Sequence, residues 1–294
     1  MSSVCSADYK ALSQSTAAVT SATETIGDLN GDAAVDALDY SLMKQFILGN
    51  ITDLPAKDDL YVADLDGDAK ITALDMALLK QYLLGLISKF PKTPHQSVPT
   101  KIMPLGDSIT DGITVPGAYR IKLWSTITSA GYKVDFVGSL SGGPSQLGDK
   151  DHEGHSGWRI DQLDAKINGW MDTYKPNIVL LHIGTNDISQ KYDLTNAPNR
   201  LGGLIDKICS KLPSGGKLYV AKIIPISYAD VKNYNNQISQ VVQNKASQGK
   251  SVYLVDMFSA LTTADLGDGV HPNKNGYDKM ADVWYSAIRN DLSK

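Results

Sequence analysis

The sequence predicts an α/β domain built on a five-stranded parallel sheet with helices on both faces, preceded by a small all-α module made of a duplicated loop and helix. Three observations carry this. Beyond residue 100, apolar strand-like runs alternate with helical ones. Nearer the N-terminus, one segment repeats itself 36 residues later without a gap. Between them lies "PKTPHQSVPT", with three prolines and no apolar period. The 294 residues, 42% hydrophobic and 20% charged, have the composition of globular modules.

Residues 1–25 are rich in Ser, Ala and Thr without a sustained period and read as a tail or linker remnant. Residues 26–90 hold the duplication: "GDLNGDAAVDALDYSLMKQFILGNI" (27–51) and "ADLDGDAKITALDMALLKQYLLGLI" (63–87). A gapless repeat with a shared acidic pattern and a shared apolar helix indicates duplication. Residues 91–100 form a short, stiff connector. In residues 101–294, strands are expected near Lys101–Leu105, Val134–Gly138, Ile178–Ile183, Leu218–Ile224 and Val252–Asp256. Helices are expected near Tyr119–Ala130, Ile160–Tyr174, Ala197–Lys211, Val231–Ser247 and Lys274–Leu292. Five βα units in succession imply a parallel sheet covered on both faces. Sites on such sheets lie beyond the carboxyl ends of the strands.

Charge and composition exclude several classes. The net charge is −4 with no long basic run, which argues against nucleic acid as a partner. No stretch approaches the ~18–20 apolar residues of a membrane span. The first residues lack a basic segment followed by an apolar one, so no signal peptide is expected in this chain. Cys5 and Cys209 are too far apart in sequence for a disulfide framework or a zinc site. Cys209 reads as a small packed side chain.

The acidic repeat has the spacing of a calcium loop, in which hard oxygens wrap one ion over twelve residues. The first loop offers Asp28, Asn30, Asp32, Ala34 (by its carbonyl), Asp36 and Asp39. The second offers Asp64, Asp66, Asp68, Lys70 (carbonyl), Thr72 and Asp75. Each loop closes on Asp rather than Glu, no matching amphipathic helix precedes it, and the usual glycine at its sixth residue is Ala33 or Ala69. A left-handed alanine there costs ~1–2 kcal/mol. At these residues, over about 26–90, the chain resembles a type I dockerin, a pair of calcium loop-helix units that docks onto cohesin modules of a scaffoldin in plant cell-wall-degrading complexes. The resemblance implies two structural calcium ions. It also implies a cohesin-reading face of Ala37, Leu38, Lys44 and Gln45, repeated identically as Ala73, Leu74, Lys80 and Gln81. Either repeat would present the same face. For Leu38 and Leu74 the competing reading is packing at the helix start.

In the larger domain, "PLGDSITDG" sets Ser108 at a strand-to-helix junction. Ser and Asp there are also ordinary turn and cap residues. A nucleophilic serine needs a base, an orienting acid and oxyanion donors. Among five histidines, His95 is in the connector, His182 is inside a strand, and His152 and His155 are in a stretch read as a loop, "DHEGHSGW". His271 follows Asp268 by three residues in the Gly-rich "GDGVHPNKNGY". An acid so placed can hold Nδ1–H and leave Nε2 as the base. "GTND" puts Asn186 after a buried strand, and "GHSGW" brings glycines whose N–H can approach a substrate closely.

Together "GDSIT", "HSGW", "GTND" and "DGVHP", in order over about 100–294, resemble the SGNH, or GDSL-type, hydrolases, whose sheet is flavodoxin-like. GDSI in place of GDSL is a mild departure. The resemblance implies Ser108 as nucleophile, His271 as base and Asp268 as its orienter. It implies an oxyanion hole of the Ser108 N–H, the Gly157 N–H and the Asn186 amide, with Gly154 a close competitor of Gly157, and no cofactor for catalysis. Joined to a dockerin, the domain is most similar to carbohydrate esterase family 3, so an acetylxylan esterase working outside the cell is expected. The alternatives are an SGNH esterase acting on another acetylated glycan or a lipid ester, a non-catalytic glycan-binding subunit, and a calcium sensor regulating the esterase. Trp158, Tyr119 and Trp124 are either sugar-stacking or core residues.

Overall fold

The computed structural model describes residues 25–56, 59–68, 70–91 and 99–292. Its contacts divide the chain into two units, Met1–Gln96 and Ser97–Lys294. Nearly all of the expected tail with Cys5, Ala69, and most of the connector with His95 lie outside the described residues. Among those described, no helix is long and apolar enough to cross a membrane.

In the first unit each repeat is a loop leading into an 11-residue helix, α1 (Ala37–Ile47) and α3 (Ala73–Leu83), with α2 (Asp59–Ala63) between them. Both helices start alike. The Asp36 and Thr72 side chains accept from the N–H of Leu38 and Leu74, while Asp39 and Asp75 reach back to the cap's own N–H. This reciprocal box satisfies donors that a helix start leaves unpaired. Both also stop alike. Gly49 and Asn50 donate to the carbonyls of Phe46 and Gln45, and Gly85 and Leu86 to those of Tyr82 and Gln81, the paired closure that ends many helices. Leu29, Met43, Val62, Leu65 and Leu79 form a fully buried core. Ala33 takes the left-handed backbone that its place in the loop requires, at φ +71°.

The second unit has the α/β class read from the sequence, with seven strands rather than five: β1 (Thr100–Gly106), β2 (Val134–Phe136), β3 (Leu140–Ser141), β4 (Asp151–Gly154), β5 (Ile178–His182), β6 (Lys217–Ala221) and β7 (Val252–Val255). The five expected strands are all parallel, in the order β2-β1-β5-β6-β7. The additions lie at one edge. β4 pairs parallel with the end of β1 (Leu105 with Glu153, Gly106 with Gly154), and β3 pairs antiparallel with β4. The stretch read as a loop therefore begins as a strand. Its residues, "DHEG", carry no apolar signal, yet His152 and Glu153 are buried there.

The helices are α4 (Ser108–Asp111), α5 (Arg120–Ser129), α6 (Ile160–Tyr174), α7 (Thr185–Ser189), α8 (Ala197–Lys211), α9 (Lys232–Ser247) and α10 (Lys274–Ile288). Alternation along each strand feeds two cores. Ile178, Leu180, Tyr219 and Val255 pack with α5 and α10, around Leu123, Tyr277 and Trp284. Val179, Leu181, Leu218 and Val220 pack with α6, α8 and α9, around Leu163, Ile205 and Ile238. Strands buried on both faces read as continuous apolar runs, which is why these were visible. The sheet is a rigid floor whose carboxyl edge carries α4, α7 and the loop before α10.

Replacing Ala33 with glycine removes ~1–2 kcal/mol of left-handed strain and returns ~0.4–1 kcal/mol through the freer unfolded chain. Amide exchange in α1 of Ala33→Gly is expected to slow severalfold; faster exchange would contradict the strain at this residue.

Candidate active site and candidate calcium loops

Ser108 lies two residues beyond the end of β1, after Asp107, and is the first residue of α4. Asp107 caps that helix: its Oδ1 accepts from the Ile109 N–H at 3.0 Å, and its carbonyl accepts from Thr110 and Asp111. The Ser108 N–H, at the first helical position, has no intrahelical acceptor. Asp107 is wholly buried, and that burial pushes its carboxyl up to about 7. Arg120, also buried, fixes the turn from behind. It donates to the carbonyls of Thr110 and Asp111 in α4, and to those of Gly142 and Lys150 beside β3 and β4 at 3.0 and 2.9 Å. Burial draws the guanidinium below its ordinary pKa.

Asp268 and His271 sit in a loop closed at its base by a Leu266–Pro272 bridge and by the Gly267 N–H on the His271 carbonyl at 2.7 Å. Asp268 Oδ1 accepts from the N–H of Val270 and His271 at 3.0 and 2.8 Å, and Oδ2 lies 2.7 Å from His271 Nδ1. His271 Nε2 lies 2.8 Å from Ser108 Oγ. With an ionised carboxylate on Nδ1, the proton belongs on that nitrogen, and Nε2 accepts from the serine hydroxyl. Desolvation pushes the Asp268 carboxyl up, but the backbone and imidazole N–H of His271 and the Val270 N–H outweigh it and hold the group at about 2.

The other described histidines have different partners. His182, buried in β5, accepts from the Ile224 N–H at 3.3 Å, and burial pulls it down to about 4. His152 in β4 accepts from the Gly154 N–H at 3.0 Å, and burial, aided by the Arg120 charge, pulls it down to about 3. His155 stacks against both Trp158 and Trp170, with ring centroids 4.2 and 4.8 Å away, and its Nε2 lies 2.7 Å from the buried Glu153. Glu153 also accepts from the Ser139 N–H and hydroxyl, so the hairpin edge is tied to the loop that follows it.

The two competing glycines differ. The Gly154 N–H is spent on His152, and a Cβ at Gly154 would collide with the backbone of Thr110 and Asp111. Gly157 sits at φ +82° with open space around it, and among the described residues its N–H meets no protein acceptor. Asn186, on α7 beyond β5, donates one amide N–H to the Trp158 carbonyl at 2.9 Å, which leaves its second. Sequence reasoning missed Gln190. It caps α7, donates to the Gly157 carbonyl at 3.3 Å and is itself held by Arg159 at 2.8 Å. Arg120, Glu153 and Gln190 carried no local signal, because each acts across the fold.

In the first unit, the carboxylate oxygens of Asp64, Asp66 and Asp68 lie within 4.8 Å of one another, a spacing that suits a hard dication. The first loop is wound by the same chemistry: Asp28 accepts from the N–H of Gly31, Asp32 and Ala33, and Asp39 from those of Leu29, Asn30 and Asp36. Asp28 Oδ1 and Asp39 Oδ1 each accept two of these bonds, whereas Oδ2 of each accepts one and keeps a lone pair for an ion. Asp36 and Thr72 are occupied as helix caps, which suits contact through water. Ala34 and Lys70 stand where the spacing needs their carbonyls. Ala37, Leu38, Lys44 and Gln45 are all exposed, as are Ala73, Leu74, Lys80 and Gln81. Leu38 and Leu74 are 60% and 56% exposed, so helix-start packing does not account for them.

A serine, a histidine and an aspartate are thus linked in series at the carboxyl edge of a parallel α/β sheet. The chain belongs to the GDSL-like lipase/acylhydrolase family, which residues 102–284 match, and carries a type I dockerin domain at residues 26–84. It is 37% identical over 223 residues to a multidomain esterase of Ruminococcus flavefaciens, a match covering 65% of this chain and 29% of that protein. The chain thus corresponds to under a third of that relative's length. Among solved structures, a family 3 carbohydrate esterase of Clostridium thermocellum is 41% identical with a TM-score of 0.61, covering 66% of this chain and 97% of that one. An acetyl esterase mutant solved with an acetate ion is 32% identical with a TM-score of 0.58, covering 65% and 97%.

Carbon-detected titration of the Asp268 carboxyl is expected to give a midpoint near 2, rising toward the ordinary value in His271→Ala. An ordinary midpoint in the unaltered chain would contradict the hydrogen bonding described.

Proposed function

We propose that this chain is a serine esterase that removes O-acetyl groups from plant cell-wall polysaccharide, with acetylated xylan as substrate, and that its dockerin tethers it to a cohesin module of a scaffoldin outside the cell. The observation that carries the catalytic reading is the continuous chain Ser108 Oγ, His271 Nε2, His271 Nδ1, Asp268 Oδ2, with links of 2.8 and 2.7 Å. The family 3 carbohydrate esterase and the acetyl esterase with acetate support the substrate class. The dockerin match supports the tether and, with it, the extracellular setting.

Ser108 Oγ attacks the ester carbonyl while His271 Nε2 takes its proton. Asp268 holds the imidazole in the required tautomer and stabilises the imidazolium. The carbonyl oxygen becomes an oxyanion received by the N–H of Ser108, the N–H of Gly157 and the free amide N–H of Asn186. Collapse expels the sugar hydroxyl, protonated by His271, and leaves an acetyl-serine. His271 then activates water, which releases acetate and restores the serine. These steps use the protein's own groups and water.

In the dockerin, Asp28, Asn30, Asp32, the Ala34 carbonyl and Asp39 would hold one calcium ion, with Asp36 reaching it through water. Asp64, Asp66, Asp68, the Lys70 carbonyl and Asp75 would hold the second, with Thr72 in the water-bridged place. Bound calcium neutralises the packed carboxylates and locks each loop onto its helix. The two exposed faces, Ala37, Leu38, Lys44 and Gln45 and their repeat, are then presented to the cohesin.

Acetate release from acetylated xylan is expected from the intact chain and not from Ser108→Ala; equal release from both would refute the nucleophile. Asn186→Ala is expected to lower turnover by about 100–1,000-fold, the usual loss for one oxyanion donor, with a much smaller change in KM. Chelating calcium is expected to abolish capture by an immobilised cohesin while acetate release persists. Loss of acetate release on chelation would favour a calcium-sensing role.

A further inference from the structure

The aromatics that the sequence offered for sugar stacking already pack in the core or against the protein's own rings. Tyr119 is fully buried, Trp124 lies edge-on to Phe136 at 5.3 Å, and Trp158 stacks on His155. Another aromatic borders the site. Tyr228, on the loop between β6 and α9, is 64% exposed. The adjacent Ser227 donates its N–H to the Gly269 carbonyl at 2.8 Å, between Asp268 and His271. Gly269, at φ +90°, packs so closely that a Cβ there would collide with Ser227 Oγ. At its other end, the Tyr228 hydroxyl donates to Ser189 Oγ at 3.1 Å. Ser189 is three residues past Asn186, hence on the same side of α7. The ring therefore spans from the loop that carries His271 to the helix that carries Asn186.

That position costs the fold something: a large aromatic left in water contributes little burial, and solvation favours tucking it away. Its hydroxyl tether and the fixed backbone of Ser227 hold the ring before any ligand arrives, so little side-chain freedom is left to lose on binding. Ile113 is likewise 60% exposed. Its neighbour Thr114 donates to the Pro272 carbonyl at 2.9 Å, next to His271. The segments that carry these two exposed side chains are both hydrogen-bonded to the loop that carries His271. A pyranose ring has an apolar C–H face and a polar hydroxyl rim. It can lie on an open aromatic face with its rim in water, whereas an acyl chain needs an enclosed apolar channel.

We propose that Tyr228 is the platform on which the sugar ring bearing the scissile ester stacks, and so a specificity-determining residue. This rests on the esterase reading of the same site. The test compares the intact chain with Tyr228→Ala and Tyr228→Phe, measuring kcat and KM on acetylated xylo-oligosaccharide and on ethyl acetate, which has no ring. In Tyr228→Ala the ratio of kcat/KM on the sugar ester to that on ethyl acetate is expected to fall about tenfold, mainly through KM, as for one lost apolar contact in a substrate site. Tyr228→Phe keeps the ring face but loses the hydroxyl tether, and is expected to keep most of the ratio, with a clearly smaller fall than Tyr228→Ala. An equal loss on both esters in Tyr228→Ala would make the residue a structural strut and overturn the proposal, as would an unchanged ratio. The esterase reading fails separately, when the intact chain is inert on both esters or Ser108→Ala is as active as the intact chain, and the proposal falls with it.

Discussion

A hydrogen bond of 2.8 Å between Ser108 and His271 joins residues 163 positions apart, and much of the larger unit serves to keep those two atoms at that distance. Neither residue can be moved independently. Ser108 is fixed because β1 is central, because Asp107 caps α4, and because Arg120 grips α4 from the β3–β4 side. His271 is fixed because its loop is bridged at the base and because Asn273, two residues on, caps α10. The apolar strands supply rigidity, and the polar groups at their ends convert it into alignment.

Buried polar groups near the site contribute to this alignment. Arg120, Glu153 and Asp107 are all fully buried, and leaving such groups without partners would be costly. Arg120 is satisfied by four carbonyls and Glu153 by Ser139 and His155. Satisfied networks of this kind restrict the backbone to one arrangement. Here that arrangement sets the hairpin edge against α4 and leads the chain into the loop that holds Gly157. Asp107, directly before the serine, is less fully satisfied: among the described residues its Oδ1 accepts from the Ile109 N–H, and its buried Oδ2 meets no hydrogen-bond partner within normal distance and angle.

Legibility in the sequence followed the physics of each feature. The central strands β1, β5 and β6 were readable because burial on both faces demands continuous apolar residues, while β2 and β7 are short and partly exposed. β4 was not, because its burial is balanced by specific hydrogen bonds that leave no hydrophobic pattern. The duplicated loops were readable because coordination by oxygen fixes spacing, and the duplication states that spacing twice. Ser108, Asp268 and His271 were readable as residue types in turns, and the structure brings all three within hydrogen-bond distance of one another in series. The choice between Gly154 and Gly157 needed coordinates, since it depends on which N–H is already spent. Gln190 and Tyr228 lay beyond sequence reasoning because a glutamine at a helix end and a tyrosine in a loop are ordinary until their distant partners are known.

The most direct test of the account is covalent labelling of the intact chain with a p-nitrophenyl phosphonate, located by peptide mass spectrometry. The account predicts one adduct, on Ser108, and labelling slowed by orders of magnitude in His271→Ala, because the serine then has no base. An adduct on another residue, or an undiminished rate in His271→Ala, would contradict it.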